Sequence, residues 1–240
     1  AITAVSLTSN ADTGNVSSYN TASITPGANR LILVAVMNSD VAPVTVPTLS
    51  GNGLTYVQVA TRDYDTDASP ARVVTLFRAM GAAPSAGAIT IDFGGTNQNG
   101  CAWHVCEFDG VDTSGTNGSG AIVQAPTDFN DTTGTSSSVT LAAFGDATNN
   151  AAFVAKMHNR AEAATEETGW TELSDVNYIN PDVGSAVAWR LGEDLSATYS
   201  WATTGRWGSI AAEIKAAAAG GAATAAPMRT RQLALTGAGL

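Results

Sequence analysis

The 240-residue chain predicts an all-β fold: a jelly-roll-like β-sandwich with internal pseudo-twofold duplication, followed by an extended C-terminal arm. Three observations predict it. Charged residues make up only 13% of the chain, while Val, Ile, Thr, Tyr and Trp recur in short runs bounded by Gly, Asn, Asp, Ser and Pro, the composition of strands and turns. Apolar residues in those runs fall at alternate positions, the period of a strand. The succession of runs in residues 17–108 also returns in residues 134–214.

The elements follow in that order. Ser23–Asn38 is answered by Ser138–His158, with Leu33, Ala35 and Met37 matching Phe153, Ala155 and Met157 on one strand face. Gly53–Val57 is answered by Gly169–Leu173. Thr75–Gly81 is answered by Val187–Glu193, pairing Phe77 and Arg78 with Trp189 and Arg190. Ala88–Phe93 matches Ser196–Trp201, and Val105–Phe108 matches Ala211–Ile214. The numbering offset between matched runs falls steadily through 120, 116, 112, 108 and 106, as it must if only loops gained or lost residues. Ser209–Ala219 is compatible with a helix, but its first part is the mate of the Cys101–Phe108 strand and reads as a strand running into a linker. These runs make residues 1–215 one sandwich with halves 17–108 and 134–214. Two small sandwiches in tandem, joined through the Gly-rich stretch 109–134, are the alternative.

Alternation also orients the strands. Val36 is matched by Lys156 on the face opposite Leu33, so that face is expected to meet solvent or a neighbour. Glu107 and Glu213, opposite Phe108 and Ile214, are expected to be wet as well. Cys101 and Cys106 lie on opposite faces of one strand and are expected to be separate buried thiols.

The formal charge is −10, and residues 1–215 hold all 21 acids against nine of the eleven Lys and Arg. Such an acidic body excludes the clustered cations of a nucleic-acid or anionic-membrane surface. No run is apolar enough for a membrane span, and the opening residues lack a basic-then-apolar leader pattern. The tail is different. Residues 216–226 form an Ala/Gly linker, and residues 227–240 carry Arg229 and Arg231 without an acid. Alternation over Gln232–Leu235 predicts a strand that adds to the sheet edge of another chain. Met228, Arg229, Arg231, Gln232, Leu233 and Leu235 are the expected docking residues.

Candidate chemistry is sparse. No HExxH, CxxC, GxSxG or phosphate-loop motif occurs, and His104 falls on the inward face as a core residue. The most site-like cluster is Asp63, Asp65 and Asp67, alternating carboxylates that resemble the opening of a calcium loop. It departs from that form at Ala68, where the turn Gly belongs, and at Val74, where a Glu belongs, so a solvated turn is the alternative to Ca2+. A second, weaker cluster is Asp128 with Asp131. Among the Trp residues, Trp170, Trp189 and Trp201 match apolar core positions, leaving Trp103 and Trp207 as candidates for stacking a sugar.

The order of NRLILVAVMN, LSGNGLTYVQVA, ARVVTLFRAMG, AITIDF and CEFDGVD resembles a β-sandwich domain of tailed-bacteriophage structural proteins. The resemblance covers about residues 1–215 and transfers no functional residue. It implies a non-enzymatic virion protein, assembled in the host cytoplasm, of the capsid decoration or cement type. The implied partners are the major capsid protein or another virion protein, and sister copies in a homo-oligomer. The alternative is a carbohydrate-binding or receptor-binding appendage.

Overall fold

The structure is a computed structural model that describes residues 1–41, 43–68 and 70–218. The docking arm, from Met228 through Arg229, Arg231, Gln232 and Leu233 to Leu235, lies outside the described residues, as does the linker beyond residue 218.

Apart from one 3-10 turn at Ser119–Ala121, every regular element among the described residues is a strand, and the fold is an all-β sandwich. The first half supplies β1 (Thr3–Asp12), β2 (Ser18–Asn20), β3 (Leu31–Asp40), β4 (Thr48–Gly51), β5 (Val57–Tyr64), β6 (Ala71–Ala79), β7 (Ile89–Asp92) and β8 (Gly100–Asp109). The second half supplies β9 (Ile122–Gln124), β10 (Thr127–Thr140), β11 (Ala151–His158), β12 (Thr165–Glu166), β13 (Thr171–Tyr178), β14 (Val183–Leu191) and β15 (Ser196–Ile214).

The first half forms a five-stranded sheet in the order β1-β8-β3-β6-β5, with a small sheet β2-β7-β4 on its outer face. The second half repeats that order as β10-β15-β11-β14-β13. Here the small outer layer is built from the same long strands. Residues 136–140 of β10 pair with 196–200 of β15, and β12 pairs with Ser200 and Tyr199, whereas 127–130 pair with 207–210 in the main sheet. Gly134 and Gly205 face each other where the two strands bend from one layer into the other.

Jelly-roll wrapping would carry the chain back and forth between the facing large sheets. The chain instead completes one large sheet before starting the other, and alternates between layers only within each half. The two large sheets pack face to face over one central core. Leu33, Ala35, Met37, Leu76 and Phe108 meet Phe153, Ala155, Met157, Val187 and Ile214 there. Two outer cores lie beneath the small layers. One gathers Val34, Val36, Trp103 and Ile91, the other Val154, Ala188, Ala211 and Tyr199.

That layering corrects the expected wet face. Val36 and Lys156 are both fully buried, because the small layer covers the outer side of each large sheet. Glu107 and Glu213, at 4% and 1% exposure, are buried too. The β6 to β14 match also slips by one residue. Ala35 pairs with Leu76 and Ala155 with Val187, so Trp189 corresponds to Arg78 and not to Phe77. A one-residue slip exchanges the faces of a strand, and Phe77 does sit in an outer core while Trp189 packs on the central one. Cys101 and Cys106 are free, buried and on opposite faces, in an outer core and the central core respectively.

The large sheets are open, yet their four edges are blunted. β1, β5, β13 and β10 each carry a break in register, at Ser6/Thr8, Gln58/Ala60, Glu172/Ser174 and on either side of Gly134. Bulges twist an edge away from regular pairing with another chain.

Phe108 meets Phe153 edge-on at 5.9 Å and Trp189 at 6.2 Å, joining the two sheets in the central core. Phe108→Ala is expected to cost about 3–5 kcal/mol of unfolding free energy. Phe129→Ala, at a 42% exposed position beneath Arg62, is expected to cost less than about 1 kcal/mol. Urea unfolding of both variants checks the ranking.

Candidate functional site

Three places gather the polar side chains with chemical potential. The first lies at the end of the sandwich where β5 turns into β6. Asp65 holds a left-handed backbone (φ 59°) and is 2% exposed. Its carboxylate pairs with Arg72, pairs with Arg206 at 2.7 Å, and accepts from Asn159 Nδ2 at 3.0 Å. Its backbone N–H donates to Asp131 Oδ1 at 2.5 Å. Asp67, on the rim, also pairs with Arg206, and Asp63 is exposed. Arg72 donates onward to Asp182 O at 3.1 Å.

The two acidic clusters are thus brought together, but around guanidinium groups. Two of the three carboxylates proposed for Ca2+ already have cationic partners, which satisfy their charge and repel a metal ion. Among the described residues, no group of three or more His, Cys, Asp or Glu is placed to hold a metal. The cluster ties the halves together, since Asp65 and Arg72 come from the first and Asn159, Asp182 and Arg206 from the second.

The second place is the interior. His104 on β8 reaches across the central core between Ser174 Oγ, 2.6 Å from Nδ1, and Ser185 Oγ, 3.0 Å from Nε2. Ser185 donates its own proton to Val176 O at 2.9 Å, so it accepts from Nε2–H, and Ser174 donates to Nδ1. The imidazole is a neutral, satisfied strut, as its inward position predicts. In the outer core of the second half, Lys156 Nζ lies 2.8 Å from His158 Nδ1, which lies 2.9 Å from Gly184 O. His158 stacks on Trp201 at 4.6 Å between centroids. Burial, reinforced by the nearby Lys156 charge, brings His104 down to about 3 and His158 to about 2.

The third place is an open cavity of about 630 Å3 at the opposite end, lined by Asp112, Asp146, Asn149, Asn150, Glu213 and Lys215. Lys215 pairs with Asp112 at 2.7 Å, and that ammonium holds the Asp112 carboxyl well below the usual carboxylate range. Glu213 accepts from Asn150 Nδ2 at 2.7 Å, Gln124 Nε2 at 2.8 Å and Gly145 N at 3.3 Å. Its mate Glu107 accepts from Gly27 N at 2.5 Å and Arg30 Nη1 at 2.7 Å. Each carboxylate fastens the loop that leads into the central strand of its half. Sequence reasoning missed the cavity because its polar groups come from the loop after β8, the loop before β11 and the end of β15, and only the Glu107/Glu213 match pointed towards it.

The Trp candidates for sugar stacking are covered: Trp103 is 3% and Trp207 6% exposed. No helix among the described residues is long and apolar enough to cross a membrane. No protein-family model, curated protein or solved structure matches the chain.

Asp65→Asn leaves the buried Arg72 without its carboxylate and is expected to cost about 3–5 kcal/mol. Asp67→Asn, which disturbs only a rim pair, is expected to cost less than about 1 kcal/mol. Thermal and urea unfolding compare them. The two imidazoles also set a pH dependence. In the unfolded chain they take protons near 6.5, whereas in the folded chain they resist protonation down to about 3 and about 2. Their contribution is therefore fully present above about pH 6.5 and is lost as pH falls towards 3. The urea midpoint is expected to drop steeply between pH 6.5 and 4, and to drop less steeply in His104→Gln.

Proposed function

We propose that the chain is a non-enzymatic structural protein of a virion, of the capsid decoration or cement kind. Its sandwich body is the rigid part, and the segment that follows is the arm that reaches a neighbouring subunit or the major capsid protein. The observation that carries this reading is how the titratable groups are used. Asp65, His104, Glu107 and Glu213, the side chains with the best claim to chemistry, are each bonded between layers or to a loop of the sandwich. The strand order NRLILVAVMN to CEFDGVD adds the resemblance to phage structural domains. The same reading includes descent of the two halves from one duplicated unit, which the identical order of the two large sheets and the matching edge breaks in β5 and β13 support.

A linked arm raises the effective concentration of its contact, so two moderate interfaces together give durable attachment to a shell. An acidic body also keeps free copies apart until they are placed. The end cavity favours a second reading, a glycan- or receptor-binding appendage, because the exposed carboxylate of Asp146 and carboxamide of Asn149 on its lining suit sugar hydroxyls.

One experiment separates these readings: immunogold electron microscopy, with antibody against the purified chain, on particles released by the cells that encode it. Label distributed over heads is the expected result. Label confined to tail tips would favour the appendage, and particles without label would overturn both.

A further inference from the structure

Lys156 is fully buried, and among the described residues no carboxylate lies within ion-pairing distance of its amine. Its Nζ sits 4.9 Å from the Trp201 ring centroid and 5.4 Å from that of Tyr199. Among the described residues its only hydrogen-bonding neighbour is His158 Nδ1. That nitrogen also lies 2.9 Å from Gly184 O, and a carbonyl oxygen only accepts. The proton therefore stands on Nδ1. That one proton faces both Gly184 O and Nζ; an ammonium has no lone pair with which to share it, whereas a neutral amine does, so the packing suits Lys156 as an uncharged base.

We propose that Lys156 is a proton-operated latch: the outer layer of the second half closes over it as a neutral amine and loosens when the amine is protonated. The cover consists of two segments. Thr165 and Glu166 of β12 lie on Ser200 and Tyr199 of β15, and the rings of Tyr199 and Trp201 lie over the amine.

The charges facing Lys156 explain how protonation reaches this cover. From its own strand comes His158, and from β14 only Ala186 and Ala188. From across the central sheets comes His104, and from the loop before β12 comes Glu162, while Arg72 and Arg160 act on the neighbouring His158. From β12 and β13 come Glu166, Glu172 and Asp175. Asp175 is the carboxylate best placed to answer an ammonium. Lys156 pairs with Ala186 and Ala186 with Asp175, so the two lie on one face, two strands or about 10 Å apart. Asp175 Oδ2 already accepts from Ala164 N at 2.8 Å, the bond that holds the approach to β12. Turning towards a charged Lys156 gives up that bond and frees the β12 strap.

The direction with pH follows from linkage. Burial lowers Lys156 from 10.5 to about 7, while an opened, solvated lysine takes its proton near 10.5. Between those values the open state binds more protons than the closed one. Opening therefore becomes more frequent as pH falls from about 10 towards 7, by up to about tenfold per unit, and levels off below 7.

Hydrogen exchange at pH 7 and pH 9, corrected for intrinsic rates, tests the latch. Protection over residues 164–166 and 196–201 is expected to be greater at pH 9, by up to about a hundredfold, and Lys156→Met is expected to be equally protected at both. Equal protection of the natural protein at both pH values, or an unchanged pH dependence in Lys156→Met, overturns the proposal. NMR of the Lys156 Cε and Nζ signals in the natural protein gives a second, independent reading. Titration near pH 7 is expected, and an ammonium signal persisting to pH 9 overturns the latch.

Discussion

Every residue of β3 from Leu31 to Ser39, and every residue of β11, is buried, and the rest of the molecule is arranged around that constraint. An antiparallel sheet commonly keeps one face wet. Here each large sheet gives its inner face to the other large sheet and its outer face to a small layer. Polar residues on these strands must find partners inside, because an unbonded buried polar group costs roughly 1–3 kcal/mol. Asn38 donates to Gln98 Oε1 at 2.7 Å and Thr45 O at 3.0 Å, and so ties β3 to the loops at its end. The requirement of two-sided burial thus determines the loops as well as the layers.

Apolar burial between two flat sheets fixes their separation better than their relative placement, since it has no direction. Bonds that cross from half to half supply the direction. His104 fits between Ser174 and Ser185 at one place, and a one-residue shift of either sheet would leave the imidazole and Ser174 unpaired. Asp65, Arg72 and Arg206 do the same at the end of the sandwich, with a carboxylate from one half answered by a guanidinium from the other. Interactions of this kind are weak arguments for net stability, because desolvating the charges offsets much of their attraction. They are stronger arguments for a unique packing, because misplacing them is expensive.

Strand period, turns and the order of the runs were legible in the sequence because they depend on local alternation, and Leu33, Ala35 and Met37 fall in the central core as their spacing predicts. Which face was wet was not legible. Val36 and Lys156 alternate correctly with the core set, but whether their face meets water depends on short strands, such as Ser18–Asn20 and Thr165–Glu166, that pack from a distance in sequence. The Phe-Arg and Trp-Arg pairs invited a match that the sheet register moves by one residue, because an Arg at the end of a strand can point to either side. The aspartate cluster was found, but its partners were not, since Arg206 lies about 140 positions away from it.

Where matched positions of the two halves differ, the difference is compensated by a neighbour, and this shows which departures packing tolerates. Val36 sits beside the bulky Trp103, whereas Lys156 sits beside the small Ser209, so the lysine stem fills volume that an indole fills in the other half. Close-packed interiors permit such an exchange because total volume is kept. The amine at the end of that stem is not compensated in the same way. Among the described residues no acid pairs with it, and its only hydrogen-bonding neighbour is an imidazole. Arg30 and Asn150 make a parallel case. Glu107 receives a guanidinium, while Glu213 receives carboxamides and lies beside an open cavity. Two halves that obey the same packing rules therefore depart from each other in charge, at Lys156 and at the partner of Glu213. Departures that volume does not require are where a second half can acquire a property that the first half lacks.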